Sequence, residues 1–462
     1  MVMRSAIIHA SQWSGSIALR QFQTEAKSLP DVLAGLTTRT TSYQYLAIGR
    51  RVMEAYSSGD GNAKKDILLS IASSCGPDFL ALNNAISIYG KNPSLAHEVR
   101  EAATPVHFRL LQSIGNLPNG IRQICDMRAH LLLLMKTEED KSTASSLHRL
   151  ERSAHELLVL WFCQSNMKLE RLTWQSPGDI LQKVSEYEAV HPVRGASEFK
   201  QRLGHGRRCF YFSHEAMPRE PLVIVHVALL NEIADNIQRI VKCTDFDYDE
   251  QRCTAAIYYS INSTQPGLAG IDLGNMLIKR VAHLLQSELP SVHIHSTLSP
   301  IPGFRTWMLR CLHDSSLYGT LVTDVVLEKI EEIEGKNVEK QQAMDNFRKL
   351  LTNVTESMVH LEQMKDVLML LCATYLTSRR HNGFALNPVA NFHLRNGAEL
   401  YRLNWKGDAS RRGLESSLGI MVNYRYRLEK VLENSVRYTL EKHIPVHDNV
   451  SSLIRVPKES KM

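Results

Sequence analysis

The chain has no apolar run long enough to cross a membrane: its longest, around residues 157–163, falls far short of the roughly 20 residues that a bilayer requires. It also has no C-x-x-C pair. Its eight cysteines are scattered over 462 residues, which favours reduced thiols in an intracellular protein over a disulfide framework. The net charge is only +6, and the basic residues are dispersed. This balance suits small anionic ligands better than a nucleic-acid groove.

Acidic residues are missing from the first 24 positions, where Arg4, Arg20 and several serines accompany apolar residues at roughly helical spacing. This composition is typical of a mitochondrial presequence, and an ordinary disordered start is the alternative. At the other end, Ser460-Lys461-Met462 differs from the peroxisomal tripeptide Ser-Lys-Leu only in its last residue. The two ends together predict dual targeting to the mitochondrial matrix and the peroxisome, with a cytoplasmic share left open.

Strand signals are scarce between residues 41 and 166, where apolar residues recur at helical spacing. Breaks such as Gly76-Pro77 and Leu117-Pro118-Asn119-Gly120 divide this region into segments that predict an antiparallel helical bundle. The predicted helices cover residues 43–56, 64–74, 77–88, 95–114, 121–134 and 142–162. No convergent set of acids and bases occurs here, so we assign the bundle to packing or assembly.

The composition changes after about residue 169, and a mixed α/β domain follows. Residues 209–213 and 221–229 predict central strands, and residues 233–242 predict a helix. The segment 254–298 then predicts a strand, a glycine-rich turn, a helix (271–289) and a second strand. Glycines at 267, 270 and 274 let the backbone approach a ligand closely, and the start of the helix offers free amides and a positive dipole end. This turn is a candidate phosphate site; a plain turn with a glycine cap is the alternative.

Further along, residues 364–378 predict an apolar helix, residues 399–405 a strand, and the charge run 328–340 a solvated helical face. His293 and His295 would share one strand face, but no third ligand is evident nearby, so we interpret them as an exposed strand face. The residues His205, Cys209 and His214 match no known metal-binding spacing.

Several motifs in the second half are long and specific. Leu298-Ser299-Pro300-Ile301-Pro302-Gly303-Phe304, the run 385–394 and Asn423-Tyr424-Arg425-Tyr426 stand out. With shorter matches at 191–193, 207–209, 220–223, 255–257 and 277–281, they make the chain resemble the malonyl-CoA decarboxylases. The likeness covers nearly all of residues 170–460, and the helical region agrees in length and pattern.

The resemblance implies an α+β architecture, with an all-helical bundle domain followed by a mixed α/β catalytic domain of the acetyltransferase (GNAT-like) fold. We therefore predict a targeting segment at 1–28, a helical domain for oligomerisation at 29–168, a catalytic domain at 169–457 and a C-terminal tail at 458–462. The strand, turn, helix and strand of residues 254–298 match the cofactor-binding core of that fold. By resemblance the chain forms a tetramer through its helical domain.

The reaction implied is conversion of malonyl-CoA to acetyl-CoA and carbon dioxide, which would control the malonyl-CoA level in fatty acid metabolism. The thioester is itself the electron sink, so the chemistry requires no metal, pyridoxal phosphate or biotin cofactor. The CoA pyrophosphate would be held by backbone amides of the loop, whose residues are Ala269, Gly270, Ile271, Asp272, Leu273, Gly274 and Asn275. Many family members have Glu where this chain has Asp272, and we interpret its carboxylate as a helix cap or loop brace.

Two residues would carry the chemistry by resemblance. Ser299 would bond the malonyl carboxylate or accept a proton, and His393 would protonate the enolate because its near-neutral pKa suits that step. Without the resemblance, Ser299-Pro300 indicates only a turn and His393 only a buried, satisfied histidine. Ser260 and Tyr426 are supporting candidates that could orient them. An acyl-CoA-dependent N-acyltransferase and a non-catalytic acyl-CoA sensor of the same fold are the alternative functions.

Overall fold

The computed structural model describes residues 28–242, 249–313, 317–334, 339–354 and 358–454. These residues form two compact units: the first contains the described residues up to Met167 together with 214–218 and 265–271, and the second contains the others. The predicted presequence before residue 28 and the C-terminal tripeptide lie outside the described residues. No helix within those ranges combines the length and the apolar character that a membrane span needs.

The first unit is helical, as predicted. Side chains cap several of its helices: Thr41 and Gln44 form a capping box, and Asp60, Asp78 and Asp140 each accept a hydrogen bond from an amide of the first turn. The helices are α1 (Leu29–Ala34), α2 (Ser42–Ser58), α3 (Gly61–Ser74), α4 (Phe79–Lys91), α5 (Ala96–Ala103), α6 (Val106–Gly115), α7 (Gly120–Thr137) and α8 (Lys141–Trp161).

The predicted helix at 95–114 is wrong in one respect, because the structure divides it into α5 and α6. Thr104 and Pro105 both have extended backbone angles between the two helices. Proline lacks an amide hydrogen and disfavours helical geometry at the residue before it, so the first helix ends there. The short helix α1 was not predicted.

The second unit contains an eight-stranded sheet of order β1-β2-β3-β4-β5-β8-β6, with β7 paired to β8. β4 and β5 run parallel, and the other paired strands run antiparallel. The strands are β1 (Lys168–Leu172), β2 (Arg207–Ser213), β3 (Val223–Leu230), β4 (Ala255–Ser263), β5 (Ile294–Thr297), β6 (Ser299–Pro300), β7 (Glu399–Asn404) and β8 (Met421–Tyr426). β3 and β4 are buried along most of their length, as their β-branched and aromatic residues predict.

Helices connect and cover these strands. Helix α12 joins the parallel strands β4 and β5, which confirms the predicted order of strand, turn, helix and strand. The helices are α9 (Gly178–Tyr187), α10 (Ala196–Arg202), α11 (Ile237–Val241), α12 (Leu273–Glu288), α13 (Phe304–Cys311), α14 (Leu317–Glu334), α15 (Lys340–Thr352), α16 (Met358–Gln363), α17 (Lys365–Thr377), α18 (Pro388–Arg395), α19 (Arg411–Ser417), α20 (Val431–Glu441) and α21 (Asp448–Ser451).

Two local predictions for the second unit differ from its structure. The helix expected at 233–242 begins only at Ile237, because the side chain of Asn236 accepts from the amides of Gln238 and Arg239 and caps the helix there. Strand β1 was not predicted, since three of its five residues are charged and it is an edge strand with little burial.

Candidate active site

Ser299 and His393 come together in the second unit. Ser299 lies in β6, where it pairs with Val422 of β8. His393 lies in the last turn of α18, a helix that Asn387 caps by accepting from the Ala390 amide and that Pro388 begins. Ser299 Oγ is 3.3 Å from His393 Nε2, and both residues are buried. The sequence-predicted pair is therefore within hydrogen-bonding distance.

The hydroxyl of Ser299 has a second partner that the sequence analysis missed. Ser299 Oγ donates to Thr297 Oγ1 at 2.9 Å, and Thr297 Oγ1 also accepts from the Tyr424 amide at 3.1 Å. Thr297 is fully buried. Positions 297 and 299 are two apart, the spacing of one strand face, so the alternation of the β5–β6 segment was a signal that could have identified Thr297.

The other side of the imidazole meets Tyr426, whose hydroxyl lies 2.8 Å from His393 Nδ1. The Ser299 hydroxyl donates its proton to Thr297, so Ser299 Oγ accepts from His393 Nε2–H. With its hydrogen on Nε2, the imidazole accepts at Nδ1 from the Tyr426 hydroxyl. Burial raises the pKa of Tyr426 well above its usual value, so this hydroxyl keeps its proton. The chain of donors assigns a neutral His393 that carries its hydrogen on Nε2.

The environment of His393 differs from the sequence-based expectation. Its ring stacks on Tyr424 with centroids 4.5 Å apart and meets Phe392 edge-on at 5.0 Å. Only 3% of the residue is exposed, and this burial lowers the pKa of His393 to about 3. The expected near-neutral pKa is therefore wrong for the protein without substrate, because the apolar aromatic walls disfavour the charged form.

The predicted phosphate loop has fewer available amides than the sequence suggested. Ala269 N donates to Pro266 O and Ile271 N donates to Leu268 O, so local turns use these two amides. Gly270 has φ +82°, a conformation that favours glycine. Within the described residues, the amides of Gly270 and of the first turn of α12 have no protein acceptor. The latter are the free donors that every helix start presents.

Two of the three glycines serve protein packing, which corrects the interpretation that all three admit a ligand. A Cβ on Gly267 would lie 1.9 Å from the Cys125 carbonyl oxygen, and one on Gly274 would lie 2.9 Å from the Phe392 ring. Gly274 thus allows Phe392, the neighbour of His393, to pack against the start of α12. Asp272 makes no side-chain cap to the helix amides and instead accepts from the Asn275 side chain at 3.0 Å, as expected of a loop brace.

Ser260 lies in a different polar cluster from the one predicted. Its hydroxyl contacts both carboxylate oxygens of Glu188 at 2.9 and 2.7 Å and accepts from Asn262 at 2.8 Å. The Glu188 carboxylate also accepts from the amides of Val190 and His191, and His226 Nε2 lies 3.3 Å from it. On these contacts Ser260 stabilises a buried carboxylate, and the structure does not join it to Ser299 or His393 by a hydrogen bond.

The remaining histidines do not form a metal site among the described residues. His293 is exposed, but His295 is buried, with Nδ1 3.0 Å from the Tyr258 hydroxyl, so the predicted exposed face for both is wrong. His205 lies near Glu250, Cys209 near His226, and His214 near the Trp161 carbonyl. His293 precedes β5, so the alternation of strand faces does not place it on the same face as His295.

Comparisons with known proteins agree over most of the chain. The malonyl-CoA decarboxylase N-terminal domain matches residues 75–162, and the malonyl-CoA decarboxylase C-terminal domain matches residues 165–462. The mitochondrial malonyl-CoA decarboxylase of Anser anser anser is 43% identical over 362 residues, which cover 77% of this chain and 71% of the relative. That of Rattus norvegicus is 42% identical over 365 residues, with 77% and 72% covered.

Solved structures agree with this assignment. The malonyl-CoA decarboxylase from Rhodopseudomonas palustris superimposes with a TM-score of 0.76 at 29% identity, covering 92% of this chain and 98% of that one. The enzyme from Agrobacterium vitis gives a TM-score of 0.77 at 29% identity, covering 93% and 99%. With both domains matched and with relatives above 40% identity, the chain belongs to the malonyl-CoA decarboxylase family of carboxy-lyases.

Proposed function

We propose that malonyl-CoA loses carbon dioxide at Ser299 and His393 of this chain, with both residues acting on the malonyl head. The observation that carries the proposal is the 3.3 Å contact between Ser299 Oγ and His393 Nε2 in a buried, aromatic-walled site. Two hydrogen-bonding groups at that distance can contact a carboxylate and the adjacent carbon of one small substrate.

The chemistry has simple requirements. The bond between the malonyl carboxylate carbon and C2 breaks, and its electron pair moves into the thioester to form an enolate. Carbon dioxide leaves, and C2 then takes one proton to give acetyl-CoA. The protein needs donors that favour the enolate and one acid.

His393 is the proposed acid. Because its pKa is low in the free protein, its imidazole is neutral until substrate binds. A malonyl carboxylate placed beside the imidazole favours the imidazolium, so the pKa rises when substrate binds and a proton is taken up. The imidazolium gives its Nε2 proton to C2 of the enolate and returns to the neutral form. The Tyr426 hydroxyl, 2.8 Å from Nδ1, keeps the ring oriented: it donates to Nδ1 of the neutral imidazole and accepts from Nδ1–H of the imidazolium.

Ser299 is the proposed hydrogen-bonding group for the malonyl carboxylate. In the free protein its hydroxyl donates to Thr297, so rotation about one bond redirects the proton to the substrate. Decarboxylation needs no nucleophile, so the step does not require Ser299 to be deprotonated.

The loop from Ala269 to Asn275 is the proposed anchor for the CoA pyrophosphate. Support comes from the amides of Gly270 and of the first helical turn, which have no protein acceptor within the described part of the chain. Amides and the positive dipole end of a helix attract phosphate. Ala269 and Ile271, whose amides donate within the turn, would contribute shape instead.

The decisive experiment is an assay of acetyl-CoA formation from malonyl-CoA with chelator present. We expect Ser299→Ala and His393→Ala to lower kcat by about 10²- to 10⁴-fold, the usual contribution of a positioned acid. His293→Ala, which removes an exposed imidazole, is the matched control. An inactive wild type would contradict the function, and a fully active His393→Ala would contradict the role of His393 as acid.

Compartment and assembly are proposed on separate grounds. The two relatives are named mitochondrial, and the acid-free start of this chain fits import into the mitochondrial matrix. The terminal Ser-Lys-Met supports a peroxisomal share, and a cytoplasmic share stays a proposal. Fluorescent fusions that leave each end free would separate these destinations. Light scattering tests the proposed tetramer, and a monomer would contradict it.

A further inference from the structure

Within the first unit, Arg128 binds the turn that precedes α12. It lies on α7, is 3% exposed, and donates through Nη1 to the carbonyl oxygens of Gly267 at 2.6 Å and Ala269 at 2.8 Å. Its Nε and Nη2 both donate to Glu151 Oε1 on α8, at 2.9 and 2.7 Å. Because Glu151 balances its charge and the two carbonyls occupy Nη1, the guanidinium holds the turn instead of a ligand phosphate.

These contacts decide where the turn presents its amides. In a trans peptide the carbonyl and the amide hydrogen point in opposite directions. Since the Ala269 carbonyl points to Arg128, the Gly270 amide in the same peptide points away from it. This amide has no acceptor within the described residues, and the φ of +82° at Gly270 sets the direction of the chain that follows.

The turn is also fixed by close packing on α7. Gly267 lies against the Cys125 backbone, where a Cβ would come within 1.9 Å of the carbonyl oxygen, and Leu268 is buried. Cys125 and Arg128 are three residues apart on the same helix, so one helical face makes the backbone contact and supplies the hydrogen bonds. Helix α7 thereby fixes the conformation of the turn at two adjacent points.

We propose that Arg128 is a positioning residue for coenzyme binding: it holds residues 267–269 so that the Gly270 amide faces the CoA pyrophosphate. This inference rests on the proposed function, in which the 269–275 loop anchors that group. The malonyl head is handled by Ser299 and His393, so Arg128 affects the affinity for the coenzyme part and leaves the chemical step unchanged.

The test compares malonyl-CoA with malonyl-pantetheine, which has the same reacting end but no pyrophosphate. The variants are Arg128→Met, Arg128→Lys and Glu151→Gln, with Arg122→Met as the control because Arg122 is an exposed arginine on the same helix. For Arg128→Met we expect KM for malonyl-CoA to rise about tenfold with kcat within about twofold, the pattern of lost binding that is equal in ground and transition states. Malonyl-pantetheine kinetics stay unchanged, and Arg128→Lys recovers part of the affinity.

The outcomes separate the inference from its premise. Equal losses with both substrates, or no loss with either, would overturn the positioning role of Arg128. A wild type that uses malonyl-pantetheine as well as malonyl-CoA would instead overturn the pyrophosphate anchor itself. Thermal melting of each variant monitors folding. If Arg128→Met does not fold, Glu151→Gln decides the question, since it keeps Arg128 but removes the charge that orients its guanidinium; an unchanged KM for malonyl-CoA there would count against the inference.

Discussion

Ser299 Oγ and His393 Nε2 lie 3.3 Å apart although 94 residues separate them in the chain. Strand β8 provides the common frame: Val422 pairs with Ser299, Tyr424 stacks on the imidazole, and Tyr426 bonds Nδ1. These three residues alternate along the strand and therefore share one face. Strand β8 thus aligns the serine and the histidine from one side.

Thr297→Val tests the acceptor that orients the Ser299 hydroxyl. Valine fills nearly the same space but leaves the Ser299 proton and the Tyr424 amide without an acceptor. We expect kcat to fall about tenfold with a small change in KM, from the loss of one buried hydrogen-bonding partner. Thr297→Ser keeps the hydroxyl and should retain most of the activity. Equal kcat in the valine variant and the wild type would show that Thr297 does not direct Ser299.

Tyr426→Phe tests the donor to His393 Nδ1. Without the hydroxyl, the imidazole loses the bond that fixes its tautomer. We expect kcat to fall about 10- to 100-fold, as for other groups that orient a reacting residue. Tyr401→Phe on β7 is the matched control. The prediction fails if both phenylalanine variants have the same kcat in the steady-state assay.

Proton uptake on binding tests how His393 becomes an acid. Its pKa is about 3 in the free protein, so at pH 7 the imidazole is neutral, and a bound carboxylate or sulfonate shifts it toward the charged form. A sulfonate analogue of malonyl-CoA, which cannot lose carbon dioxide, should therefore bind with uptake of up to about one proton. Calorimetry in buffers of different ionisation enthalpy measures this number. His393→Gln should abolish the uptake, and uptake that persists in that variant would assign the proton to another group.

Gly274→Ala tests the contact between the start of α12 and Phe392. The new methyl lies 2.9 Å from the ring, so the ring must move, and His393 is its neighbour in the chain. We expect a loss of stability of about 1–3 kcal/mol, typical of overpacking, and a several-fold lower kcat. Gly178→Ala, where no atom lies within 4 Å, is the control and should leave both quantities nearly unchanged. Urea unfolding and steady-state kinetics provide the measurements.

His295→Gln tests the contribution of a buried neutral histidine to acid stability. Burial lowers the pKa of His295 to about 4, below its usual 6.5. The unfolded chain therefore binds a proton at a higher pH than the folded chain does. The contribution of neutral His295 to the free energy of unfolding is complete above pH 6.5. It falls by about 1.4 kcal/mol per pH unit as the pH decreases toward 4.

The glutamine variant should unfold with a correspondingly shallower dependence on pH in that window. Wild type and variant are compared by urea unfolding at intervals between pH 7 and 4.5. Parallel curves for the two proteins would contradict the assignment of this proton to His295. The measurement does not depend on catalysis, because it follows unfolding and His295 contacts Tyr258 and neither Ser299 nor His393 by the hydrogen bond of its Nδ1.

The order of elements was largely predictable because it depends on local patterns. Helical periodicity and glycine or proline breaks marked most of the first unit. An alternating run marked β2, a run rich in β-branched residues marked β3, and an apolar run marked β4. The prediction of one long helix at 95–114 failed at Pro105, because the proline outweighs the helical spacing of the apolar residues. Strand β1 escaped prediction because an exposed edge strand has little apolar alternation.

The sequence by itself determined which residues to examine, since the Ser299 and His393 motifs and the glycine-rich turn are contiguous and specific. Tyr426 was also predicted as a supporting residue, but the atoms that each residue contacts required the tertiary structure. Thr297 contacts Ser299, and Tyr426 on β8 contacts His393. Ser260 instead donates to Glu188. Arg128 donates to the turn at Gly267, more than 130 positions away in the chain. Burial lowered the pKa of His393 to about 3, far from the value that its residue type suggests. Proximity between distant segments and exclusion of water arise only from packing of the whole chain, so no local pattern could predict the Glu188 and Arg128 contacts or this pKa.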